Sequence, residues 1–288
     1  MRAQTQTSCQ FAALDNFIAS EPLMEALAVA ARRLWARAGG ERASAKSFWV
    51  DIDEEPSHPL AVFALAVARY HGFHDDALGC EVWVQRRVHQ PGCVAPPRSR
   101  GLEFHFDKDE TSAGAGGARW HHPALATATY LGDGGGAPLV VFGTRAGAAG
   151  APRNAWVCTP ARGRHAAFTG DALHGVPAEL DGGGRYDRLS VLVNVWTARR
   201  PAGLARLPED GARLAPTEGG VVGDRASAAA PRRVCRRVPR NGGPDALLLS
   251  EHRKGDTGSI PMTPLEDMLA RRGVLKVGYR GGPPASHS

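Results

Sequence analysis

Near the start of the chain, apolar residues recur at helical spacing. From Glu21 to Arg37 they form one stripe, made of Leu23, Leu27, Ala30, Leu34 and Trp35. Pro22 lies in the first turn, where proline is tolerated, and Gly39-Gly40 follows as a stop signal. A second apolar run predicts a helix from Pro59 to about Tyr70. We therefore expect two amphipathic helices near the start of the chain.

From about residue 80 the pattern changes to short β-prone runs that are separated by glycine- and proline-rich turns. The predicted strands are 80–88, 102–107, 125–131, 138–142, 155–158, 165–168, 172–176 and 188–196. Many short strands with turns between them predict a mainly β sandwich or barrel. Because the helices precede the strands instead of alternating with them, a doubly wound α/β fold is disfavoured.

These changes of pattern divide the chain into four segments. They are an N-terminal helical support (1–79), a strand-rich core (80–200), a linker or disordered segment (201–244) and a small C-terminal extension (245–288). Residues 201–244 have little periodicity. The extension is predicted to contain a strand at Leu247–Leu249, a helix that begins with a capping box at Thr263, and a strand at Val274–Tyr279.

Composition and charge narrow the class of partner. The 288 residues include 35 glycines and 21 prolines, which predicts much loop, and the formal net charge is +6. Part of that charge lies in Arg232, Arg233, Arg236 and Arg237. Such a run can touch nucleic acid or an acidic partner. Because no interleaved aromatic residues or recognisable binding module accompany it, we expect a solvated tail and no nucleic-acid partner.

The cysteines and the apolar runs indicate the cellular compartment in which we expect the protein. The five cysteines are Cys9, Cys80, Cys93, Cys158 and Cys235. Their number is odd and they contain no C-x-x-C pair, so we expect reduced thiols. Asp15 and Asn16 interrupt the only candidate signal core, and no run approaches the roughly 18 apolar residues that span a bilayer. We expect a cytoplasmic protein without a membrane partner.

The candidate chemistry lies in His105-Phe106-Asp107 and in His174. Residues i and i+2 of a strand face the same side, so His105 and Asp107 can bind one metal ion. Two imidazoles and a carboxylate suit iron(II) and leave three positions open. A second H-x-D run, His74-Asp75-Asp76, follows a helix end without a β-prone run around it. We expect that copy to be a solvated loop.

A basic position follows the second histidine. The strand predicted at 188–196 alternates, with one face made of Arg188, Ser190, Leu192, Asn194 and Trp196. If the chain reverses near Gly182, His174 lies opposite Ser190, and Arg188 is one same-face step away. Arg185 would lie about 10 Å farther along the ribbon, so Arg188 is preferred.

A buried arginine needs a partner, because an unpaired charge inside a barrel is costly. A carboxylate co-substrate provides a bidentate partner for Arg188, and Ser190 adds a hydroxyl donor. The alternative is a structural ion pair of Arg188 with Asp171 or Asp187. The sequence leaves both possibilities open.

Together these residues resemble the 2-oxoglutarate- and iron(II)-dependent oxygenases, whose motifs are H-x-D, a distal histidine and a downstream R-x-S. The resemblance covers roughly residues 80–198. It includes the strand and glycine-rich turn at Tyr130–Gly136, which are similar to the prolyl-hydroxylase-like branch. It implies a double-stranded β-helix, a jelly-roll or cupin-like core, with supporting N-terminal helices.

The resemblance also implies roles for six residues. His105, Asp107 and His174 become the iron ligands. Arg188 and Ser190 bind the C5 carboxylate of 2-oxoglutarate, and Tyr130 is a possible hydrogen-bond donor to it. No further catalytic residue is implied. The implied cofactors are Fe(II), 2-oxoglutarate and O2, with ascorbate as reductant. The implied reaction is hydroxylation with release of succinate and CO2.

Two departures from the family pattern concern Arg188. The offset of 14 positions from His174 to Arg188 exceeds the usual family spacing, which keeps Arg185 as an alternative. Collagen-type prolyl hydroxylases place lysine at this position, so a collagen substrate does not follow. Relatives that halogenate lack the carboxylate, so Asp107 argues against a halogenase.

Two other classes fit part of the pattern. A non-catalytic cupin-like protein could bind a metal or ligand with the same residues, and a zinc hydrolase could use two histidines and an aspartate. Neither accounts for Arg188 and Ser190. The substrate, a protein side chain or a small molecule, and the oligomeric state are not predicted. His121-His122 are expected in a surface loop, with a place beside the metal as the alternative.

Overall fold

The structure, a computed structural model, describes most of the first 208 residues. The described ranges are 11–18, 20–40, 46–92, 101–109, 120–132, 134–148 and 154–208, with the backbone of 232–233, 235–237 and 257–261. Cys9, Cys93 and the predicted elements at 247–249, 263–272 and 274–279 lie outside the described residues. No helix in the described ranges is long and apolar enough to cross a bilayer.

Both predicted helices are confirmed. Helix α1 spans Glu21–Arg37 and helix α2 spans Pro59–Tyr70. The Ser20 side chain caps α1 by accepting a hydrogen bond from the backbone N–H of Leu23 at 3.3 Å. The ring of His58 caps α2 by accepting from the N–H of Leu60 at 3.1 Å. The caps and the amphipathic stripes thus define the helix starts that the sequence predicted.

The eight predicted strands are also present, with small shifts of their ends. The strands of the molecule are β1 (Phe11–Asp15), β2 (Phe48–Asp51), β3 (Gly79–His89), β4 (Leu102–His105), β5 (Leu125–Tyr130), β6 (Leu139–Arg145), β7 (Asn154–Cys158), β8 (His165–Thr169), β9 (Ala172–Val176), β10 (Tyr186–Trp196), β11 (Ala205–Arg206), β12 (Arg232–Arg233), β13 (Cys235–Arg237) and β14 (Thr257–Pro261). Strand β4 ends at His105, so Asp107 lies just beyond it.

The strands form two sheets with jelly-roll topology. The larger sheet has the order β11-β2-β3-β10-β5-β8-β1-β12, and the smaller has the order β13-β14-β7-β6-β9-β4. At the centre of the fold, β3, β10, β5 and β8 face β4, β9, β6 and β7, and neighbours within each set are antiparallel. This order is that of a double-stranded β-helix. The predicted fold class is confirmed.

Segments outside the predicted core also join the sheets. The N-terminal support contributes β1 and β2 to the larger sheet, in addition to its helices. Strands β11, β12 and β13 fall within the predicted linker, and β14 falls within the predicted extension. All six of these strands have five residues or fewer, so their periodicity is too short to identify from the sequence.

The connection between β9 and β10 corrects one expectation. The two strands were expected to form one ribbon that reverses near Gly182, but β9 pairs with β4 and β6, whereas β10 pairs with β3 and β5. The chain crosses from one sheet to the other through a short 3-10 helix, Ala178–Leu180. Gly183 and Gly184 have φ values of 69° and 110°, which glycine adopts most readily. His174 and Ser190 therefore belong to opposite sheets.

The larger sheet has one face toward the helices and one toward a cavity. Leu189, Val191, Val193 and Val195 of β10 belong to the core under the helices. The alternate positions Arg188, Ser190 and Leu192 line the cavity between the sheets. The predicted alternation along this strand is confirmed, and it separates the apolar core from the polar positions.

The cysteines whose side chains are described, Cys80 and Cys158, are buried and form no disulfide among the described residues. Burial raises the pKa of Cys80 to about 12, so this thiol stays protonated and unreactive at neutral pH. Both cysteines pack within the core clusters of the two sheets.

Candidate active site

A cavity of about 320 Å³ lies between the two sheets. Its walls combine apolar side chains with a small number of polar ones. The lining residues are Ser47, Glu81, Trp83, Gln85, Leu102, His105, Asp107, Ala126, Thr127, Ala128, Tyr130, Leu139, Phe168, His174, Val176, Arg188, Ser190 and Leu192. A cavity of this size and composition accommodates a small ligand.

Three predicted ligands meet at one side of this cavity. His105 of β4 lies directly opposite His174 of β9 in the antiparallel register. Nε2 of His105 is 3.6 Å and Nε2 of His174 is 3.7 Å from Oδ1 of Asp107. The three ligand atoms lie within 4.8 Å of one another. Gly175 permits this close pairing, because a Cβ there would approach the ring of Phe104 to 2.7 Å.

Backbone carbonyls set the tautomers of both imidazoles. Nδ1 of His105 is 2.8 Å from the carbonyl oxygen of Glu103, and Nδ1 of His174 is 2.9 Å from that of Ala172. A carbonyl oxygen can only accept, so each Nδ1 carries the proton. The Nε2 atom of each ring is the one that lies toward Asp107. This outer hydrogen bond is the usual support of a metal-binding histidine.

The protonation states also suit a cation. Burial lowers the pKa of His174 to about 4, although Asp107 acts in the opposite direction, so the imidazole is neutral at physiological pH. Burial alone would raise the pKa of Asp107, but the neighbouring histidines outweigh it and lower that pKa. Two imidazole nitrogens and one carboxylate match the donor set of iron(II) or zinc.

Arg188 lies in the wall of the same cavity. Its side chain is buried, and Nη1 donates a hydrogen bond of 2.6 Å to the carbonyl oxygen of Ala137. Burial lowers its pKa and outweighs the opposite effect of Tyr130, Tyr186 and Asp181. No carboxylate of the described residues lies within ion-pair distance of it. A buried cation with spare donors is a good site for an anionic ligand.

The expected structural partners of Arg188 are bound elsewhere. Asp171 forms an ion pair with Arg145 at 2.6 Å. Asp187 forms a bidentate pair with Arg86, with distances of 2.8 and 2.7 Å. The alternative of a structural ion pair for Arg188 with either aspartate therefore does not hold.

Ser190 and Tyr130 are neighbours of this arginine. They are register partners on β10 and β5, and both are buried and line the cavity. The charge of Arg188 lowers the pKa of Tyr130, but burial is the larger effect and raises it, so the phenol remains a donor. Arg185 is exposed outside the cavity. The structure thus brings Arg188, Ser190 and Tyr130 together and leaves Arg185 apart.

The other histidines of the sequence analysis lie apart from the ligand atoms. His74 is exposed in a turn with Asp75 and Asp76, as expected of a solvated loop. His121 is exposed as well. The half-buried His122 is 2.5 Å from the carbonyl oxygen of Asp107 through its Nδ1. His122 therefore contacts the backbone of a candidate ligand, closer to the site than a surface loop implies.

Several cavity residues were missed from the sequence. Glu81, Trp83 and Gln85 of β3 line the cavity, and Glu81 lies opposite Asn194 of β10 in the register. Their i, i+2 spacing was a usable signal, because β3 alternates as clearly as β10 does. The sequence could not identify β3 as the neighbour of β10, since 90 or more residues separate their paired positions.

Comparisons with known proteins found similarity to solved structures only. The chain resembles a prolyl-4-hydroxylase from Pseudomonas putida, with 22% identity over 66% of this chain and 88% of that one, and a TM-score of 0.38. It also resembles HygX from Streptomyces hygroscopicus with nickel and 2-oxoglutarate bound, with 13% identity, coverages of 74% and 91%, and a TM-score of 0.36. No family model matches the chain. No curated protein matches it either.

A third similar structure is the non-heme alpha ketoglutarate dependent epimerase SnoN from nogalamycin biosynthesis. It is 13% identical to this chain, with coverages of 76% and 93% and a TM-score of 0.38.

Proposed function

We propose that the protein is a 2-oxoglutarate-dependent iron(II) dioxygenase that hydroxylates a substrate with release of succinate and CO2. One observation carries the proposal. A three-ligand metal face and a buried arginine with no carboxylate partner among the described residues line the same cavity. A metal site alone does not require such an arginine. A dicarboxylate that chelates the metal with one end can bind the arginine with its other carboxylate.

His105, Asp107 and His174 would hold the iron. Their hydrogen bonds to carbonyl oxygens fix both rings before the metal arrives, which reduces the cost of ordering them. Iron(II), when bound, supplies the redox chemistry with O2 that side chains cannot perform. The protein contributes position and charge. Ascorbate would serve as the external reductant.

Arg188 would bind the far carboxylate of 2-oxoglutarate. Its planar guanidinium can donate two parallel hydrogen bonds, which fix the orientation of the co-substrate as well as its position. Ser190 and Tyr130 offer hydroxyl donors at the same place. Leu139, Leu192 and other apolar lining residues exclude water. These contacts hold the co-substrate toward the metal face and lower the entropic cost of reaction.

The substrate is either a protein side chain or a small molecule. A non-catalytic cupin-like protein would bind the metal without turnover, and a zinc hydrolase would not require 2-oxoglutarate. The proposal therefore requires succinate formation from 2-oxoglutarate by purified protein with iron(II) and ascorbate. A protein that binds 2-oxoglutarate only in the presence of metal, measured by calorimetry with redox-inactive Mn(II), supports the same proposal without a substrate.

The matched test compares two arginines. Arg188→Ala should weaken 2-oxoglutarate binding to the Mn(II)-loaded protein by about tenfold or more, because it removes charge-assisted hydrogen bonds. Mn(II) affinity itself should not change. Arg185→Ala removes the same charge from an exposed position and should leave both affinities unchanged. Equal loss in the two variants, or no metal-dependent binding of 2-oxoglutarate at all, would contradict the proposal.

A further inference from the structure

Glu81 is an acid in the cavity wall that the metal site does not use. It lies on β3 and lines the cavity between the sheets. Nε1 of the buried Trp196 donates a hydrogen bond of 3.1 Å to Oε2 of Glu81, which fixes the orientation of the carboxylate. Glu81 does not belong to the group of three ligand atoms that could hold a metal. The acid therefore needs a role other than metal ligation.

The charge of Glu81 has no counter-ion in the part of the chain that the structure describes. No arginine or lysine there lies within ion-pair distance of its carboxylate. The indole of Trp196 is neutral, so its hydrogen bond orients the acid without balancing the charge. Burial raises the pKa of Glu81, although the bond from Trp196 acts in the opposite direction. A partly buried carboxylate without a cation is costly, and a cationic ligand would remove that cost.

Glu81 and Arg188 line opposite ends of the cavity. The register places Glu81 beside Asn194, six residues along β10 from Arg188, which is roughly 20 Å at about 3.3 Å per residue. A dicarboxylate bound by Arg188 has the same sign of charge as Glu81. The co-substrate therefore cannot be the partner of this acid.

The remaining charges of the cavity lining balance one another once metal and co-substrate are bound. The two histidines bind metal in their neutral form. A divalent metal and Arg188 then offset the carboxylate of Asp107 and the two carboxylates of 2-oxoglutarate. Glu81 is the charged residue of the lining that is left over. The complete site thus has one negative charge to offer to a substrate.

We propose that the cavity selects a substrate with a protonated amine, which forms an ion pair with Glu81 and lies against the ring of Trp83. Trp83 lies two residues from Glu81 on the same face of β3 and also lines the cavity. The face of an indole attracts cations, and its apolar area accommodates an alkyl chain. The inference rests on the proposed function, because the amine would be the substrate of that reaction.

The test measures probe binding to the full chain loaded with Mn(II) and 2-oxoglutarate. The probes are n-butylammonium and 1-butanol, which have the same length and differ in charge. Broadening of the proton NMR lines of each probe by the paramagnetic Mn(II) reports binding near the metal. Wild type should bind n-butylammonium at least about tenfold more tightly than 1-butanol, because hydrogen bonds between charged groups are the stronger ones.

Glu81→Gln keeps the shape of the side chain and removes its charge. It should weaken n-butylammonium binding by about tenfold and leave the affinities for 1-butanol and 2-oxoglutarate unchanged. The control, Glu55→Gln, removes an exposed carboxylate and should leave all three affinities unchanged. If Glu81→Gln is unstable, the preference of wild type for the cation over the alcohol still tests the inference.

A blocked tripeptide with a central lysine presents the same amine on a protein side chain. Binding of the peptide as well as n-butylammonium supports the inference with lysine as the source of the amine, and binding of n-butylammonium alone supports it with a small amine. Equal affinity of wild type for n-butylammonium and 1-butanol, or an unchanged preference in Glu81→Gln, would overturn the inference while 2-oxoglutarate binding keeps the proposed function. If wild type with Mn(II) does not bind 2-oxoglutarate, the proposed function fails and the inference fails with it.

Discussion

Two pairs of histidines lie close together in the described residues, one in the cavity and one behind the larger sheet. The rings of His105 and His174 have their centroids 4.4 Å apart, at an angle of 53°. The rings of His71 and His165 are nearly stacked, with centroids 5.2 Å apart and Nε2 atoms 3.0 Å apart. Proximity alone therefore does not distinguish the two pairs.

The difference lies in the partners of each ring nitrogen. In the cavity pair, both Nδ1 atoms face carbonyl oxygens and both Nε2 atoms face a carboxylate. In the core pair, the Nε2 atoms face each other, and Nδ1 of His165 contacts the hydroxyl of Thr129 at 2.7 Å. Among the described residues, the core pair belongs to no group of three metal-ligand atoms. The Nε2 atoms of the cavity pair thus converge with a carboxylate, whereas those of the core pair face each other.

The largest expected effect is on the cavity pair. Asp107→Ala removes the acid that both Nε2 atoms face and should weaken Co(II) binding by at least about 100-fold, more than the loss of an outer hydrogen bond causes. Calorimetric titration of the full chain measures it. Without the acid, the cavity pair offers imidazole nitrogens only, as the core pair does.

The second H-x-D motif provides the control for that variant. Asp76→Ala makes the same change in an exposed turn and should leave Co(II) affinity at its wild-type value. A loss in Asp76→Ala, or a bound metal in Asp107→Ala at wild-type affinity, would be incompatible with the site at His105, Asp107 and His174.

The two pairs also differ in how far the sequence predicts them. The spacing of His105 and Asp107 on a β-prone run indicated a ligand pair. His174 was predicted as the distal histidine, because the alternating strand with Arg188 and Ser190 follows it. Nothing near His71 or His165 indicated that they meet, because they are 94 residues apart and belong to a helix end and a strand. Contacts between distant segments depend on topology, which periodicity does not encode.

Topology also explains the errors around the site. The alternation of β10 was correct, so the residues that face the cavity were predicted. The strands next to β10 were not predicted correctly. A ribbon of β9 and β10 was expected, but the chain crosses from one sheet to the other between these two strands. For the same reason Glu81 and Asn194 were not recognised as a pair, since their contact requires β3 beside β10.

The core pair should limit stability in acid. Burial lowers the pKa of His165 well below the ordinary value, so the unfolded chain binds a proton more readily than the folded one. Stability should therefore fall as the pH decreases below about 6.5, by up to about 1.4 kcal/mol per pH unit from this group. Urea unfolding of wild type and His165→Asn between about pH 7 and pH 5 measures the difference in slope. Equal slopes would mean that His165 titrates normally.

The smallest expected effect separates the two pairs most directly. Thr129 is fully buried on the helix-facing side of β5, and Thr129→Val removes its hydroxyl with little change of shape. Nδ1 of His165 then lacks its partner, so the free energy of unfolding should decrease by about 1–2 kcal/mol. Co(II) affinity should stay unchanged, because this hydroxyl faces away from the cavity that Tyr130 lines. A parallel loss of metal affinity would show that the sheet couples the core pair to the cavity pair.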